Sequence, residues 1–305
     1  MGVIYKNVNY DYCAMLIISI LIITTILRRM VKGKVNRSFL EVLVVAWLTI
    51  LFDIWAVHLD NLGVQQVFTK YVAHMGYLVL HSLEMPFYIT YLVAITDTWH
   101  LFKAKRLLAF LPLFPVFVIT GLILTSPATK WIFYINAQYE YTRGKYFTLL
   151  YVCAVIYLIY GLTYLWIHRK MFRRRYFVSL GIFFAAEIAG IVIQYFYPTL
   201  LVEMLCMSIG LLFISLMLQR PEERLDVVTG LNKITAYMDD MRQAFRTRKP
   251  IHIIMVNITN YASLCELLGY GKCMKMMAGV SEYMMRLDKE KKSKAAMYYL
   301  GQGKF

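Results

Sequence analysis

Charged residues are scarce in this chain, and their scarcity excludes an ordinary soluble domain. Of the 305 residues, 17% are charged, 60% are apolar and 15% are aromatic. A soluble protein with that much apolar content could not cover its core with polar surface. Acidic residues are the fewest, with 18 against 33 Lys and Arg, and the formal net charge is +15. Because the basic residues flank apolar runs and form no single face, the charge predicts no nucleic-acid partner.

Cysteine and internal repeats are also rare, and each shortage excludes a class of protein. The five cysteines form no disulfide framework, and Cys265 and Cys273, spaced by eight, have no nearby histidine for a zinc site. In a cytoplasmic segment these two thiols are expected to stay reduced. No internal repeat is present, which argues against an inverted-repeat transporter. The Gly-rich end is not a phosphate-binding P-loop either, because the spacing of that motif is missing.

Apolar runs long enough to cross a membrane fill the first two-thirds of the chain. A span needs about 20 apolar residues, and lipid cannot satisfy an exposed backbone, so each run should be a helix. The runs are Tyr12–Leu27, Phe39–His58, Tyr71–Thr96, Leu107–Leu124, Tyr146–Ile167, Tyr176–Tyr197 and Thr199–Leu218. The sequence therefore predicts a membrane α-helical bundle of seven transmembrane helices over residues 1–219, with the lipid bilayer as its partner.

The distribution of positive charge predicts the orientation of the bundle. The loops after the first, third and fifth runs carry thirteen Lys and Arg, whereas the other side carries five. Positive loops face the cytoplasm, so the amino terminus is predicted outside and residues 220–305 inside, in a multi-pass cell-membrane protein. Asp11 precedes the first run and the positive charge follows it, which predicts a retained anchor instead of a cleaved signal.

Six ionisable side chains fall inside the predicted spans, where such groups are costly and mark functional sites. They are Asp53, His74, His81, Glu84, Glu187 and Glu203. One hypothesis is a polar pocket that opens outward for a small extracellular ligand, with Asp53 paired to His74. The other is a set of interhelical hydrogen bonds that hold the bundle together. The two histidines are about 10 Å apart along one helix, too far to share an ion, so no metal site is predicted.

The longest predicted outside loop, Thr125–Lys145, is rich in aromatic residues. A loop of this length is often functional in a compact protein. Two interpretations remain open from the sequence. The loop forms a lid or wall for a ligand, or it is an interfacial hairpin that lies on lipid headgroups.

The composition changes at Arg220, and the pattern beyond it predicts a second domain. Apolar residues recur with helical spacing from Ile234 to Phe245. The segment IHIIMVNI, Ile251–Ile258, is typical of a buried strand. Helical stretches at Leu264–Leu268 and Cys273–Leu287 precede a further short strand. The order predicts a partial cytoplasmic α/β domain over residues 220–305. Two strands are few for a stable sheet.

Three segments of this second domain occur in the order of one family's motifs. They are DVVTGLNK (Asp226–Lys233), IIMVNITNYASLCELLGYGKC (Ile253–Cys273) and YLGQGKF (Tyr299–Phe305). They resemble, in turn, the Asp-x-Leu-Thr-Gly-Leu-x-Asn-Arg opening, the metal-binding strand with its helix, and the Gly-Gly-Asp/Glu-Glu-Phe signature of bacterial GGDEF domains. The resemblance covers Pro221–Phe305. The membrane half also looks like the seven-helix sensory regions that precede such domains.

The resemblance implies a nucleotide-cyclase fold in which the catalytic positions are degenerate. Family members condense two GTP molecules into cyclic di-GMP with metal ions that are held by carboxylates. The positions that match those carboxylates are Asn257 and Gly303, the latter followed by Lys304, and the guanine-reading positions match Cys265 and Met274. The signature segment is Gly301, Gln302, Gly303, Lys304 and Phe305, and the product-inhibition positions are Lys292 and Ala295. Asn carries no charge and Lys repels a cation, so neither holds Mg²⁺ well.

The sequence therefore predicts a membrane signal-transduction protein whose GGDEF-like module does not catalyse and needs no cofactor. From the resemblance, a homodimer is expected. The alternative is an active diguanylate cyclase, which would need Mg²⁺ and GTP. A further alternative is a fragment of a longer GGDEF/phosphodiesterase protein, because the resemblance stops at the signature segment and the second half of that domain is absent.

Overall fold

The computed structural model describes the chain over residues 8–27, 34–96, 98, 114–169, 172, 174–197, 200–218, 225–247, 251–291 and 295–305. The chain divides into two compact units, Met1–Gln219 and Arg220–Phe305. The first is called the membrane unit below and the second the C-terminal unit.

Helices dominate the membrane unit. They are α1 Asn9–Leu27, α2 Lys34–Asn61, α3 Val67–Thr96, α4 Phe114–Thr129, α5 Thr148–Ile167, α6 Arg174–Phe196 and α7 Glu203–Leu218. Five of them (α1, α2, α3, α5 and α6) are long and apolar enough to cross a membrane, which confirms a membrane helical region. The two others, α4 and α7, are apolar but only 16 residues long. The structure thus gives five helices of spanning length among the described residues, where the sequence predicts seven. Residues 107–113 of the predicted fourth run lie outside the described residues.

Glycines allow the helices of the membrane unit to approach one another closely. A side chain at Gly76 would meet the ring of Phe52, and one at Gly210 would meet Phe183. Small residues at such contacts are typical of helix packing in lipid, where close approach supplies van der Waals energy. The outward faces remain apolar: Leu16 and Ile20 of α1 are more than half exposed. Such faces suit contact with lipid tails.

A β-hairpin connects α4 to α5, within the loop that the sequence analysis singled out. Strand β1, Phe133–Ile135, pairs antiparallel with β2, Tyr141–Arg143. The turn is held by Asn136, whose Oδ1 accepts hydrogen bonds from the amides of Gln138 at 3.0 Å and Glu140 at 2.8 Å. The side chain of Phe133 is fully buried. The hairpin therefore packs into the membrane unit.

The C-terminal unit is small and mostly helical. It contains β3 Asn232–Lys233, α8 Ile234–Thr247, α9 Tyr261–Leu268, α10 Tyr270–Lys291 and β4 Tyr298–Tyr299, with β3 and β4 in parallel. The helices predicted from the sequence are present. Leu231, Met277 and Phe305 form a buried apolar cluster, and Ala236, Ala244 and Cys273 are buried as well.

The predicted buried strand Ile251–Ile258 is wrong as a buried element. Residues 251–257 are all exposed, and the segment makes one isolated bridge, between Asn257 and Lys304. Val256 and Phe305 exchange two backbone hydrogen bonds of 2.8 Å, so the segment is paired along one edge only. The described residues supply no strand for its other edge and no helix that covers its apolar side chains.

The expectation of two reduced thiols at Cys265 and Cys273 is also contradicted, because the structure joins them as a disulfide. Helix α9 ends at Gly269, which has a φ of +76°, and α10 begins directly afterwards. This reversal brings the two Cα atoms to 5.3 Å, within the range of a disulfide. Spacing in the sequence does not reveal the reversal, which depends on a left-handed glycine.

Candidate functional site

A cavity of about 150 Å³ lies at the end of the membrane unit that carries the β-hairpin. Helices α2, α3, α5, α6 and α7 and strand β2 contribute to its wall. All six ionisable residues singled out in the predicted spans line it, namely Asp53, His74, His81, Glu84, Glu187 and Glu203. Residues that are distant in sequence therefore meet at one site.

His81 lies between two carboxylates from different helices. Its Nδ1 is 2.9 Å from Oε2 of Glu84, one turn further along α3. Its Nε2 is 3.6 Å from Oε1 of Glu203, the first residue of α7. The ring of Tyr77 stacks on His81 with centroids 5.6 Å apart. The imidazole is thus held by α3 and bridges to α7.

Two buried carboxylate oxygens on the cavity wall lack a hydrogen-bond partner among the described residues. They are Oε1 of Glu84, a residue 4% exposed, and Oε1 of Glu187, a residue 2% exposed. Gly190, one turn from Glu187, lets α6 approach α7, because a Cβ there would be 3.1 Å from Cα of Glu203. A buried polar atom without a partner costs free energy, so such atoms require an explanation.

A second polar cluster lies at the N-terminal end of α3. Oδ1 of Asp60 is 3.3 Å from Nε2 of His74 and 3.4 Å from Nζ of Lys70. Asp60 therefore contacts His74, and Asp53, which the sequence pairs with His74, lines the same cavity. Lys70 is 1% exposed and its Nζ donates a hydrogen bond of 2.6 Å to the carbonyl of Tyr139 in the hairpin.

The hairpin forms one wall of the cavity through Tyr141 and Arg143. The ring of Tyr141 stacks on His74 with centroids 4.4 Å apart. Burial raises the pKa of the Tyr141 phenol well above its usual value, against a smaller opposing effect of Arg143. The phenol therefore stays neutral and keeps a proton to donate. Of the two interpretations of this loop, the geometry favours a ligand wall.

Gly144 is the position at which the base of the hairpin is most sensitive to added volume. A Cβ there would collide with the backbone carbonyl oxygens of Trp131 and Lys130. We expect Gly144→Ala to displace the hairpin and to cost about 1–3 kcal/mol of stability, as overpacking does. The thermal unfolding midpoint of the purified full chain in lipid nanodiscs checks this expectation.

Gly121→Ala is the matched control, because nothing lies within 4 Å of a Cβ built at Gly121 in α4. Alanine favours a helix over glycine by about 1 kcal/mol, so this variant should be as stable as the original chain or slightly more so. Equal midpoints for the two variants would contradict the tight base of the hairpin.

In the C-terminal unit, the structure brings Gly301–Phe305, which resembles a GGDEF signature, against the segment that contains Asn257. The amide of Ile258 donates a 3.0 Å hydrogen bond to the carbonyl of Gly303. Residues Gly301, Gln302 and Gly303 have φ values of +90°, +50° and +72°, so the chain makes a tight left-handed turn there. Lys304 follows and is exposed. No carboxylate stands at these positions, so the turn offers no charged ligand for Mg²⁺.

The other positions that the resemblance marks are not part of this turn. Cys265 on α9 is joined to Cys273, and Met274 is half-buried on α10. Neither side chain can offer the hydrogen bonds that would read a guanine. Ala295 donates its amide to Asp288 at 3.0 Å, and Lys292 lies outside the described residues.

Residues of the opening motif have structural contacts. Oδ1 of Asp226 accepts hydrogen bonds from the amide and the hydroxyl of Thr229, both at 2.9 Å. The hydroxyl of Ser281 in α10 donates to the carbonyl of Thr229 at 2.8 Å. Gly230 follows with a φ of +67°. This turn therefore attaches the start of the unit to α10.

The sequence patterns do not reveal Asp60 and Lys70 as members of the site. Asp60 and Lys70 fall just outside the predicted runs, and Lys70 was counted only as a loop charge. Helix α2 in fact continues to Asn61 and α3 begins at Val67. The sequence feature that could have indicated this pair is the placement of opposite charges, Asp60 and Lys70, on the two sides of a short turn between apolar helices.

Comparison of the chain with family models, with curated proteins and with solved structures found no match.

Proposed function

We propose that this chain is a membrane sensor with a non-catalytic GGDEF-like module at its C-terminal end. One observation carries the proposal: an aromatic-walled cavity in the membrane unit holds buried carboxylate oxygens without hydrogen-bond partners among the described residues. A ligand that enters the cavity would supply those partners. Sites of this kind, concave with a few convergent polar groups, are the usual form of small-molecule sites.

In the proposed topology the chain crosses the membrane seven times, with the amino terminus outside and the C-terminal unit in the cytoplasm. The five helices of spanning length and the shorter apolar helices α4 and α7 supply the crossings. The hairpin and the cavity then lie at the outer surface. The asymmetry of Lys and Arg in the loops supports this orientation.

The proposed C-terminal module acts by contact and not by catalysis. Phosphoryl transfer depends chiefly on metal ions and on positioning. Asn257 and Gly303, the latter followed by Lys304, stand where the resemblance places the acidic metal ligands, and Cys265 stands at a guanine-reading position. A regulatory or dimerisation role within cyclic di-GMP signalling is consistent with these positions.

GTP turnover tests this proposal against the alternative of an active cyclase. The purified full chain in nanodiscs is incubated with GTP and Mg²⁺, and the products are separated by chromatography. We expect no cyclic di-GMP above a sample without protein, while an active diguanylate cyclase in the same buffer forms it. Product formation by this chain, abolished by Asn257→Ala, would overturn the non-catalytic assignment.

A further inference from the structure

We infer that the cavity of the membrane unit binds a small organic amine in its cationic form. This inference rests on the proposed sensory function, and it specifies the chemical class of the ligand that is sensed. It follows from the charge, the walls and the volume of the cavity.

The inner part of the cavity holds more acid than base. Glu84, Glu187 and Glu203 line it together with one imidazole, His81, which lies near two of them. The single imidazole can compensate one of the three carboxyl groups, which leaves two without a basic side chain of their own. Buried carboxylates are costly unless a cation or hydrogen-bond donors accompany them. An ammonium group has three donors and a positive charge, which match the Oε1 atoms of Glu84 and Glu187.

The remaining charged groups around the cavity do not supply that cation. Asp53 adds a further acid, and His74 contacts Asp60, which also contacts Lys70. Arg143 belongs to the hairpin wall, and its guanidinium carbon is 4.6 Å from the ring centroid of Phe147. It is exposed, at the mouth of the cavity, whereas Glu84 and Glu187 are buried.

The walls of the cavity are rich in aromatic rings. Tyr77, Tyr141, Phe147, Tyr151 and Tyr157 all line it. Aromatic faces attract organic cations through the ring quadrupole, and sites for ammonium ligands commonly combine such rings with carboxylates. An anionic ligand would face repulsion from the acids and from these faces.

The volume limits the size of the ligand. At about 150 Å³, the cavity matches an engineered protein cavity that holds benzene. A nucleotide or a peptide is too large for it. The described part of the chain contains no group of three His, Cys, Asp or Glu side chains that could hold a metal ion. This disfavours a bare metal ion as the ligand. One small ring or a short alkyl chain with an amine fits best.

The test compares three probes of nearly equal shape and different charge: β-phenylethylamine, 2-phenylethanol and phenylacetate. Binding to the full chain in phosphatidylcholine nanodiscs is measured by isothermal titration calorimetry near pH 7. We expect the amine to bind at least tenfold more tightly than either of the others. Equal binding of amine and alcohol, or no amine binding to folded protein, would overturn the inference.

Variants locate the site. Glu187→Gln keeps the shape but removes the charge, and we expect it to weaken amine binding at least tenfold. Glu41→Gln is the matched control, because Glu41 pairs with exposed Arg37 and does not line the cavity; its amine affinity should be unchanged. If Glu187→Gln does not accumulate in the membrane, Glu203→Gln replaces it. Amine affinity that neither cavity variant alters would contradict this location.

The same preparation tests whether inorganic cations bind at the site and whether amine binding affects the C-terminal unit. If Na⁺ or K⁺ binds at the site and the amine does not bind at all, the organic class of ligand is overturned. The calorimetric result does not depend on the C-terminal unit. Amine binding that leaves hydrogen exchange in residues 225–291 unchanged would contradict the sensory function while it supports the inference.

Discussion

Lys70→Met is expected to release the β-hairpin from the membrane unit and to raise backbone hydrogen exchange in residues 131–146 about a hundredfold or more. Lys70 is 1% exposed and connects Asp60, at 3.4 Å, to the carbonyl of Tyr139, at 2.6 Å. Methionine has a similar length, so the change removes the charge and its hydrogen bonds without a large cavity. Removing one partner of a buried ion pair costs about 3–5 kcal/mol, and here the carbonyl of Tyr139 loses its donor as well. Each 1.4 kcal/mol corresponds to a tenfold change in the opening equilibrium.

Hydrogen exchange with mass spectrometry on the full chain in nanodiscs measures this release. Lys145→Met is the matched control, since Lys145 lies in the same connection but is exposed beside the ring of Tyr146. We expect the control to leave exchange in the hairpin within about threefold of the original chain, because exposed charges contribute less than about 1 kcal/mol. If hydrogen exchange in the hairpin is equally slow in both variants, Lys70 does not attach the hairpin to the membrane unit.

Met277→Ala is expected to unfold the C-terminal unit locally within the full chain. Met277 is fully buried. Among the described residues, the cluster that it forms has two other buried members, Leu231 and Phe305. Removing a buried Met side chain costs about 2–5 kcal/mol. A domain of ordinary size has about 5–15 kcal/mol of stability, and small units have less. A loss of that size therefore removes most of what holds the unit together.

Exchange in peptides from α10 and from residues 295–305 provides the measurement. Met255→Ala is the control, because Met255 has the same side chain but is 64% exposed. Rapid exchange of both regions in Met277→Ala alone is the expected outcome. Protection that survives in Met277→Ala would show that contacts outside this small core stabilise the unit.

The amino-acid sequence alone predicted the helical membrane region and marked the six residues that line the cavity. Both predictions rest on one physical fact: lipid satisfies neither backbone polar groups nor charges. An apolar run of sufficient length must therefore be helical, and an ionisable residue within it must find a polar neighbour. Asp53, Glu187 and Glu203 stand out for this reason even though they belong to different helices.

Other features of the site needed the tertiary structure. The contact of Lys70 with Tyr139 joins residues 69 positions apart and exists only because the loop after α4 folds back as a hairpin. The contact between Asp60 and His74 depends on how far α2 continues beyond its apolar run. Neither the turn geometry nor the helix end is encoded in hydrophobic periodicity.

In the C-terminal unit, local patterns determined the helices, whereas long-range pairing decided the rest. Apolar spacing predicted α8 and α10, because a helix is formed by contacts within four residues. The exposure of residues 251–257 and the disulfide between Cys265 and Cys273 depend on which segments lie beside them. A strand is buried only when neighbours cover both of its faces, and no property of its own residues supplies those neighbours.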